Sequence, residues 1–137
     1  MKVVVDTNVL VSSFINAGGK PAMIIDYILN NKATPVVNEE ILQEYETVLS
    51  RKKFCIKKED MRVLTDYFRF YSVAAESAPA LPVGTKVHKE DEKFLQAAYA
   101  AEADYLITGN RKHYPGTFKG KLRIVTPAEF LTAVGIR

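Results

Sequence analysis

Short β-branched runs recur along this chain, and each is followed by a segment of helical periodicity. That alternation constrains the fold more than any other feature. The runs are "KVVV" at 2–5, "TPVV" at 34–37, "YLIT" at 105–108 and "LRIV", from Leu122 to Val125. A fifth apolar piece begins at Val73 and reads as an edge strand. Strands this short and this apolar are buried on both faces, which is the habit of parallel sheets covered by helices. The pattern predicts an α/β fold: a three-layer α/β/α sandwich around a mostly parallel sheet of about five strands.

The helical segments carry their own signals. Asp6, Thr7 and Asn8 are all good helix caps, and 9–15 can be the helix they open, ended by Gly18-Gly19. Pro21 suits the first turn of a helix over about 22–30. Asn38 is placed to cap a helix over 39–51 with the stripe Ile41, Leu42, Tyr45, Val48 and Leu49. A further helix is expected over 59–71, with Val63, Leu64, Tyr67, Phe68 and Tyr71 as its stripe. Pro79, Pro82 and Gly84 mark 78–85 as a loop, and "EDEKFLQAAYAAEA" follows as a helix. Thr126-Pro127-Ala128-Glu129 is a capping box with proline at the first helical position, opening a last helix to about Val134.

A chain of 137 residues reads as one domain, 1–137. Its single cysteine, Cys55, excludes an internal disulfide; set between Phe54 and Ile56, it is expected to be a small buried hydrophobe. No signal-peptide pattern is visible, and no apolar stretch approaches the roughly 20 residues of a membrane span, so a cytoplasmic protein is expected. The net charge of +3 permits a phosphate-bearing partner without requiring one.

Within "VVVDTNVLVSS" a carboxylate, Asp6, interrupts an apolar run. A charge there is costly to desolvate unless something pairs with it. In open parallel sheets, ligands bind beyond the carboxyl ends of the strands. Asp6 ends the first strand, and Asn110 follows "YLIT" by two residues, so both belong to that edge. Asp91, in the first turn of its helix, shares a face with Phe94, Leu95 and Ala98; Glu90 is almost as well placed. Glu44 and Glu46 flank the stripe of the earlier helix by about the same angle, and spacing does not choose between them. Carboxylates gathered at one edge repel unless a cation lies between them, and hard oxygen donors suit Mg²⁺ or Mn²⁺. Such a site is suited to phosphoryl chemistry. No histidine–cysteine cluster, Gly-rich phosphate loop or Gly-x-Ser-x-Gly elbow is present, which disfavours zinc, nucleoside-triphosphate and serine-hydrolase chemistry.

Taken together, these segments resemble the PIN-domain family, in particular the toxin-like branch, the VapC-like component of toxin–antitoxin systems. "VVVDTNVLVSS" resembles its opening motif, "NEEILQEYETVLSRKKF" the segment bearing its second acid, "EDEKFLQAAYAAEADYLITGN" that bearing its third and fourth, and "LRIVTPAEFL" its closing strand and helix. The resemblance implies Asp6, Glu44 and Asp91 as the catalytic, metal-binding acids, with Asn110 as a further metal-site residue and Asn8 and Thr108 as polar supports. It implies a five-stranded parallel sheet and a Mg²⁺- or Mn²⁺-dependent endoribonuclease acting on single-stranded RNA. It also implies a cognate antitoxin protein and a homodimer. A DNA flap nuclease or exonuclease is a poorer match, since the chain is small and carries no additional DNA-clamping segments.

The chain departs from the family at Asn110, where relatives usually carry the aspartate of Thr-Gly-Asp, and in "VHKE", which lacks an acid common before Asp91. The first departure admits a second reading, a catalytically weakened RNA-binding or partner-binding module. Arg111, Lys112 and His113, directly after the site, are the candidate nucleic-acid contacts; Lys52, Lys53, Lys57 and Lys58 form a second basic set.

Overall fold

The computed structural model describes residues 1–74, 81, 85–115 and 120–136. Five parallel strands form one sheet in the order β3-β2-β1-β4-β5. They are β1 (Lys2–Val5), β2 (Thr34–Val37), β3 (Val73–Ala74), β4 (Tyr105–Ile107) and β5 (Arg123–Val125). The helices are α1 (Thr7–Ile15), α2 (Lys20–Leu29), α3 (Glu39–Leu49), α4 (Lys58–Tyr71), α5 (Glu92–Ala100) and α6 (Pro127–Ala133). The expected loop at 78–85 lies outside the described residues except for Leu81 and Thr85.

Successive side chains of a strand point to opposite faces. Val3, Val4 and Val5 are all buried, so both faces of the central strand are covered. α5 packs on β1 and β4, α4 on β2, and α6 on β4 and β5; α3 lies against both α4 and α5, and α2 against both α1 and α6. This is the expected three-layer arrangement. Among the described residues, no helix is long and apolar enough to cross a membrane.

The register fixes where a ligand can approach. From β1 the chain builds outward to β2 and β3, then returns to the other side of β1 for β4 and β5. The order therefore reverses between β1 and β4, and a crevice opens at their carboxyl ends. Val5 lies beside Ile107 in the ladder, so Asp6 and Thr108 leave the two strands together.

Local signals are realised closely at some ends. Asn38 caps α3, its side chain accepting a hydrogen bond from the Ile41 N–H at 2.8 Å. Thr126 and Glu129 form the reciprocal capping box of α6. Two readings are corrected. Cys55 is exposed rather than buried, because it occupies a left-handed turn (φ +52°) after a 3₁₀ turn over Lys52–Phe54 that stands off the core. Val63 is 67% exposed and Tyr71 is exposed too, since α4 instead buries Leu64, Thr65 and Phe68. Thr65 can occupy that stripe because its hydroxyl donates to the Met61 carbonyl at 3.0 Å.

Candidate metal centre at the sheet switch point

Asp6 occupies the N-cap position of α1, yet its side chain makes no capping bond. The carboxylate turns to Thr108 and Tyr114 instead. Its Oδ2 accepts hydrogen bonds from the Thr108 hydroxyl at 2.8 Å and the Tyr114 hydroxyl at 3.0 Å. Asp6 is 4% exposed and Thr108 wholly buried. The Thr108 oxygen in turn accepts the Asn110 N–H at 3.0 Å, so one hydroxyl ties the end of β4 to the end of β1. The Asn8 side-chain oxygen accepts the Gly109 N–H at 3.0 Å, a second tie across the same gap. A Cβ on Gly109 would sit 3.3 Å from that oxygen, so the close approach favours glycine.

The ambiguity between Glu44 and Glu46 is resolved by their partners. Glu44 faces the crevice, where its Oε2 accepts from the Thr7 hydroxyl and its Oε1 lies 2.7 Å from Lys93 Nζ. Glu46 faces away and pairs with Arg69 at 3.2 Å. Asp91 closes a 3₁₀ turn over Lys89–Asp91, one residue before α5, and is buried. Its Oδ2 lies 3.0 Å from His113 Nδ1. A cleft of about 400 Å³ is lined by Glu44, Asp91, Asn8, Asn110, Glu90 and His113, among others.

The electrostatics reflect acids close enough to act on one another. Burial, and behind it the charge of Asp91, hold the Asp6 carboxyl above the usual range against the lowering effect of the Thr108 bond. Burial likewise raises Asp91, opposed by His113 and reinforced by Glu90 and Glu44. Burial and the nearby Asp6 push the Tyr114 hydroxyl far up, so it remains a proton donor to that carboxylate. Tyr45 is raised by burial, Asp6 and Glu44, and its hydroxyl donates to the Val5 carbonyl beneath the site.

The donor set fits a hard divalent cation. Glu44 and Asp91 line one crevice and the buried Asp6 lies behind it; the charge of Asp91 helps raise Asp6, and those of Glu90 and Glu44 help raise Asp91. A cation between them relieves that repulsion. Mg²⁺ and Mn²⁺ take carboxylate, amide and water oxygens of this kind.

A model of the family described as "PIN domain" matches residues 2–112. The chain belongs to the PIN-domain family. A relative from Methanocaldococcus jannaschii, the uncharacterized protein MJ1680, is 31% identical over 140 residues, covering 96% of this chain and 90% of that protein. The crystal structure of VapBC2 from Rickettsia felis bound to a DNA fragment from their promoter matches with a TM-score of 0.55 at 19% identity, over 90% of this chain and 98% of that one. At that identity the likeness is one of fold. PIN domains are generally nucleases that use divalent metals, and the crevice of this PIN domain is lined by the acids Glu44, Glu90 and Asp91.

Several residues around the crevice have no functional signal in the sequence. Tyr114, Tyr45, Lys93 and His88 carry no motif of their own; each joins the site through the tertiary fold. Thr7, one of three possible caps in the sequence, donates its hydroxyl to Glu44 instead. Arg111, expected as a nucleic-acid contact, is exposed and paired with Glu129 at 3.2 Å. Lys112 is exposed beside it, whereas His113 turns inward to Asp91. The second basic set is exposed, with Lys52 and Lys53 in the 3₁₀ turn and Lys58 opening α4.

Proposed function

We propose that this PIN domain is a Mg²⁺- or Mn²⁺-dependent endoribonuclease that hydrolyses phosphodiester bonds of single-stranded RNA, and that it is the toxin component of a toxin–antitoxin pair. The reading treats residues 1–137 as one domain working in the cytoplasm, as a homodimer and with a small cognate antitoxin. The single observation that carries it is a cleft at the sheet's switch point lined by Glu44 and Asp91, with the buried Asp6 close enough to Asp91 for the two charges to interact. The likeness of the fold to a VapBC2 structure supports the antitoxin part of the reading.

Asp6, Glu44 and Asp91 would hold the metal as its charged ligands, with Asn110 contributing an amide oxygen. When bound, the ion would lower the pKa of a water and bind a non-bridging phosphate oxygen. The chain's own groups do the remaining work. Thr108 and Tyr114 fix the Asp6 carboxylate by two donated hydrogen bonds. Asn8 holds the Gly109 backbone and so the turn that presents Asn110. Thr7 and Lys93 orient Glu44 toward the cleft. Arg111 and Lys112, exposed at its rim, meet phosphates of the flanking strand and give affinity rather than sequence choice.

The test is a titration of single-stranded RNA cleavage with Mg²⁺ and Mn²⁺, using Asp6→Asn as the blank. Metal-dependent cleavage by wild type alone supports the reading. One observation favours a second reading, a weakened binding module: an amide, Asn110, lines the cleft where relatives usually carry an acid. Tight RNA binding by wild type without cleavage above the blank would select it. A gene for a small DNA-binding antitoxin beside this one would support the toxin assignment.

A further inference from the structure

Beside the three acids lies a second group of donors of different chemistry. One ligating atom each of His88, Glu90, Asp91 and His113 falls within 4.8 Å of the others. The imidazoles of His88 and His113 stack with centroids 3.8 Å apart and planes 9° from parallel. Backbone bonds hold this arrangement: the His88 N–H donates to the His113 carbonyl at 3.0 Å, and the Asp91 N–H to the His88 carbonyl at 2.9 Å. The 85–88 segment and the turn after β4 are thereby clamped together, and both present a histidine to Asp91.

The contact between His113 and Asp91 could serve only to orient the carboxylate. That explains one side chain of the group. It does not explain why His88 and Glu90 bring donors within 4.8 Å of that carboxylate. A metal ion with nitrogen and oxygen ligands at roughly 2.0–2.2 Å accommodates donors up to about 4.2 Å apart. Because stacked imidazoles direct their in-plane lone pairs along parallel planes, binding one ion requires the exposed His88 ring to turn out of the stack and Glu90 to shift, while the buried Asp91 stays in place.

We infer that His88, Glu90, Asp91 and His113 form an imidazole-bearing site for a transition-metal ion, adjoining the acidic centre and sharing Asp91 with it. Mg²⁺ prefers an all-oxygen shell, whereas Mn²⁺, Co²⁺ and Zn²⁺ accept imidazole. The site therefore distinguishes Mn²⁺ from Mg²⁺, which the three acids alone do poorly. The two histidines also supply neutral ligands close to where Asn110 withholds a charge. The inference rests on the proposed function only through the shared Asp91, and its test does not depend on cleavage.

Mn²⁺ itself is the probe. Pulsed electron paramagnetic resonance of the Mn²⁺-loaded protein reports nitrogen nuclei bound to the ion, and a parallel titration gives its affinity. Wild type is expected to show nitrogen modulation, and the double variant His88→Gln, His113→Gln to lose it while keeping its circular dichroism. Mn²⁺ affinity should fall roughly tenfold or more in that variant, with Mg²⁺ affinity changed far less. Asp6→Asn should retain the nitrogen signal, since Asp6 is not in the group. Wild type that binds no Mn²⁺, or binds it without nitrogen modulation, overturns the inference. Mn²⁺ binding lost in Asp6→Asn but unchanged in the double histidine variant also overturns it, and leaves the acidic centre standing. Absence of RNA cleavage, with the nitrogen signal present, would instead count against the proposed function.

Discussion

Lys93 Nζ lies 2.7 Å from Glu44 Oε1, so an ammonium two residues after Asp91 neutralises part of the acidic cleft's charge. The same ammonium bonds the Glu90 carbonyl at 2.6 Å, which pins the 3₁₀ turn bearing Asp91 to α5. Both side chains are largely buried, at 14% and 26% exposure, so the pair is screened less than a surface one. Lys93→Met should therefore lower the stability of the metal-free protein by about 1–2 kcal/mol, between the values for exposed and fully buried pairs. A divalent ion can substitute for the lost charge. Denaturation in EDTA and again in excess Mn²⁺ checks this: the loss should shrink when metal is present, and an equal loss in both would contradict it.

Thr108 is wholly buried and its hydroxyl serves two partners, donating to Asp6 and accepting from the Asn110 N–H. Thr108→Val keeps the shape and leaves the buried Asp6 carboxylate and the part-buried Asn110 N–H short of one partner each. We expect a loss of about 2–3 kcal/mol, chiefly the desolvation penalty of the carboxylate. Tyr114→Phe removes only the second donor to Asp6 and should cost less, about 1–2 kcal/mol. Urea denaturation of both variants gives the order; a costlier Tyr114→Phe would mean that Asp6 relies on the tyrosine first.

The raised carboxyls of Asp6 and Asp91 make a pH prediction for the metal-free protein. A raised native pKa means the folded state holds its proton more tightly than the unfolded chain. The stability so conferred is present below the unfolded value, about 3.9, and is lost as pH rises through the native values. Asp6→Asn removes the larger burial penalty, so the variant should gain on wild type as pH increases above about 4. Thermal melts in EDTA across pH 4 to 8 measure the difference. A variant that falls behind wild type at neutral pH would show that the Asp6 charge stabilises the fold.

Legibility in the sequence followed the range of the interactions. Asn38 and the Thr126–Glu129 box were readable because a cap involves residues three apart. Asp6 stood out because a charge in an apolar run has few explanations. Glu44 and Glu46 could not be separated, since helical period places them symmetrically about the stripe; Thr7 and Lys93 make the choice, and both arrive from other elements. Val63 was misplaced because the true stripe of α4 includes Thr65, a polar residue whose hydroxyl is satisfied within its own helix. The inward turn of His113 was invisible for the same reason as Tyr114: a loop after β4 folds back over the end of β1, and no local period records it.

Asn110 carries the last prediction. Its backbone is fixed by Thr108, and its exposed side chain lines the cleft with Glu44 and Asp91. If it stands beside the ion, an aspartate there adds one unit of attractive charge. A unit charge about 4 Å from a divalent ion is worth roughly 8 kcal/mol at an effective dielectric near 20, twice the figure for two unit charges, before desolvation is subtracted. Asn110→Asp should therefore lower the Mg²⁺ concentration that gives half-maximal cleavage of single-stranded RNA. In EDTA the same change should destabilise the protein slightly, because it adds a fourth like charge to Asp6, Glu44 and Asp91. The measurement is a metal titration of wild type and variant at fixed ionic strength, with Asp6→Asn as the blank. Cleavage by the variant alone would select the weakened-module reading for the natural chain. An active wild type whose metal dependence matches the variant's would place Asn110 away from the ion. The His88 and His113 donors bear on the comparison: the gain from Asn110→Asp should be larger with Mg²⁺, which takes oxygen ligands, than with Mn²⁺, which the imidazoles already hold.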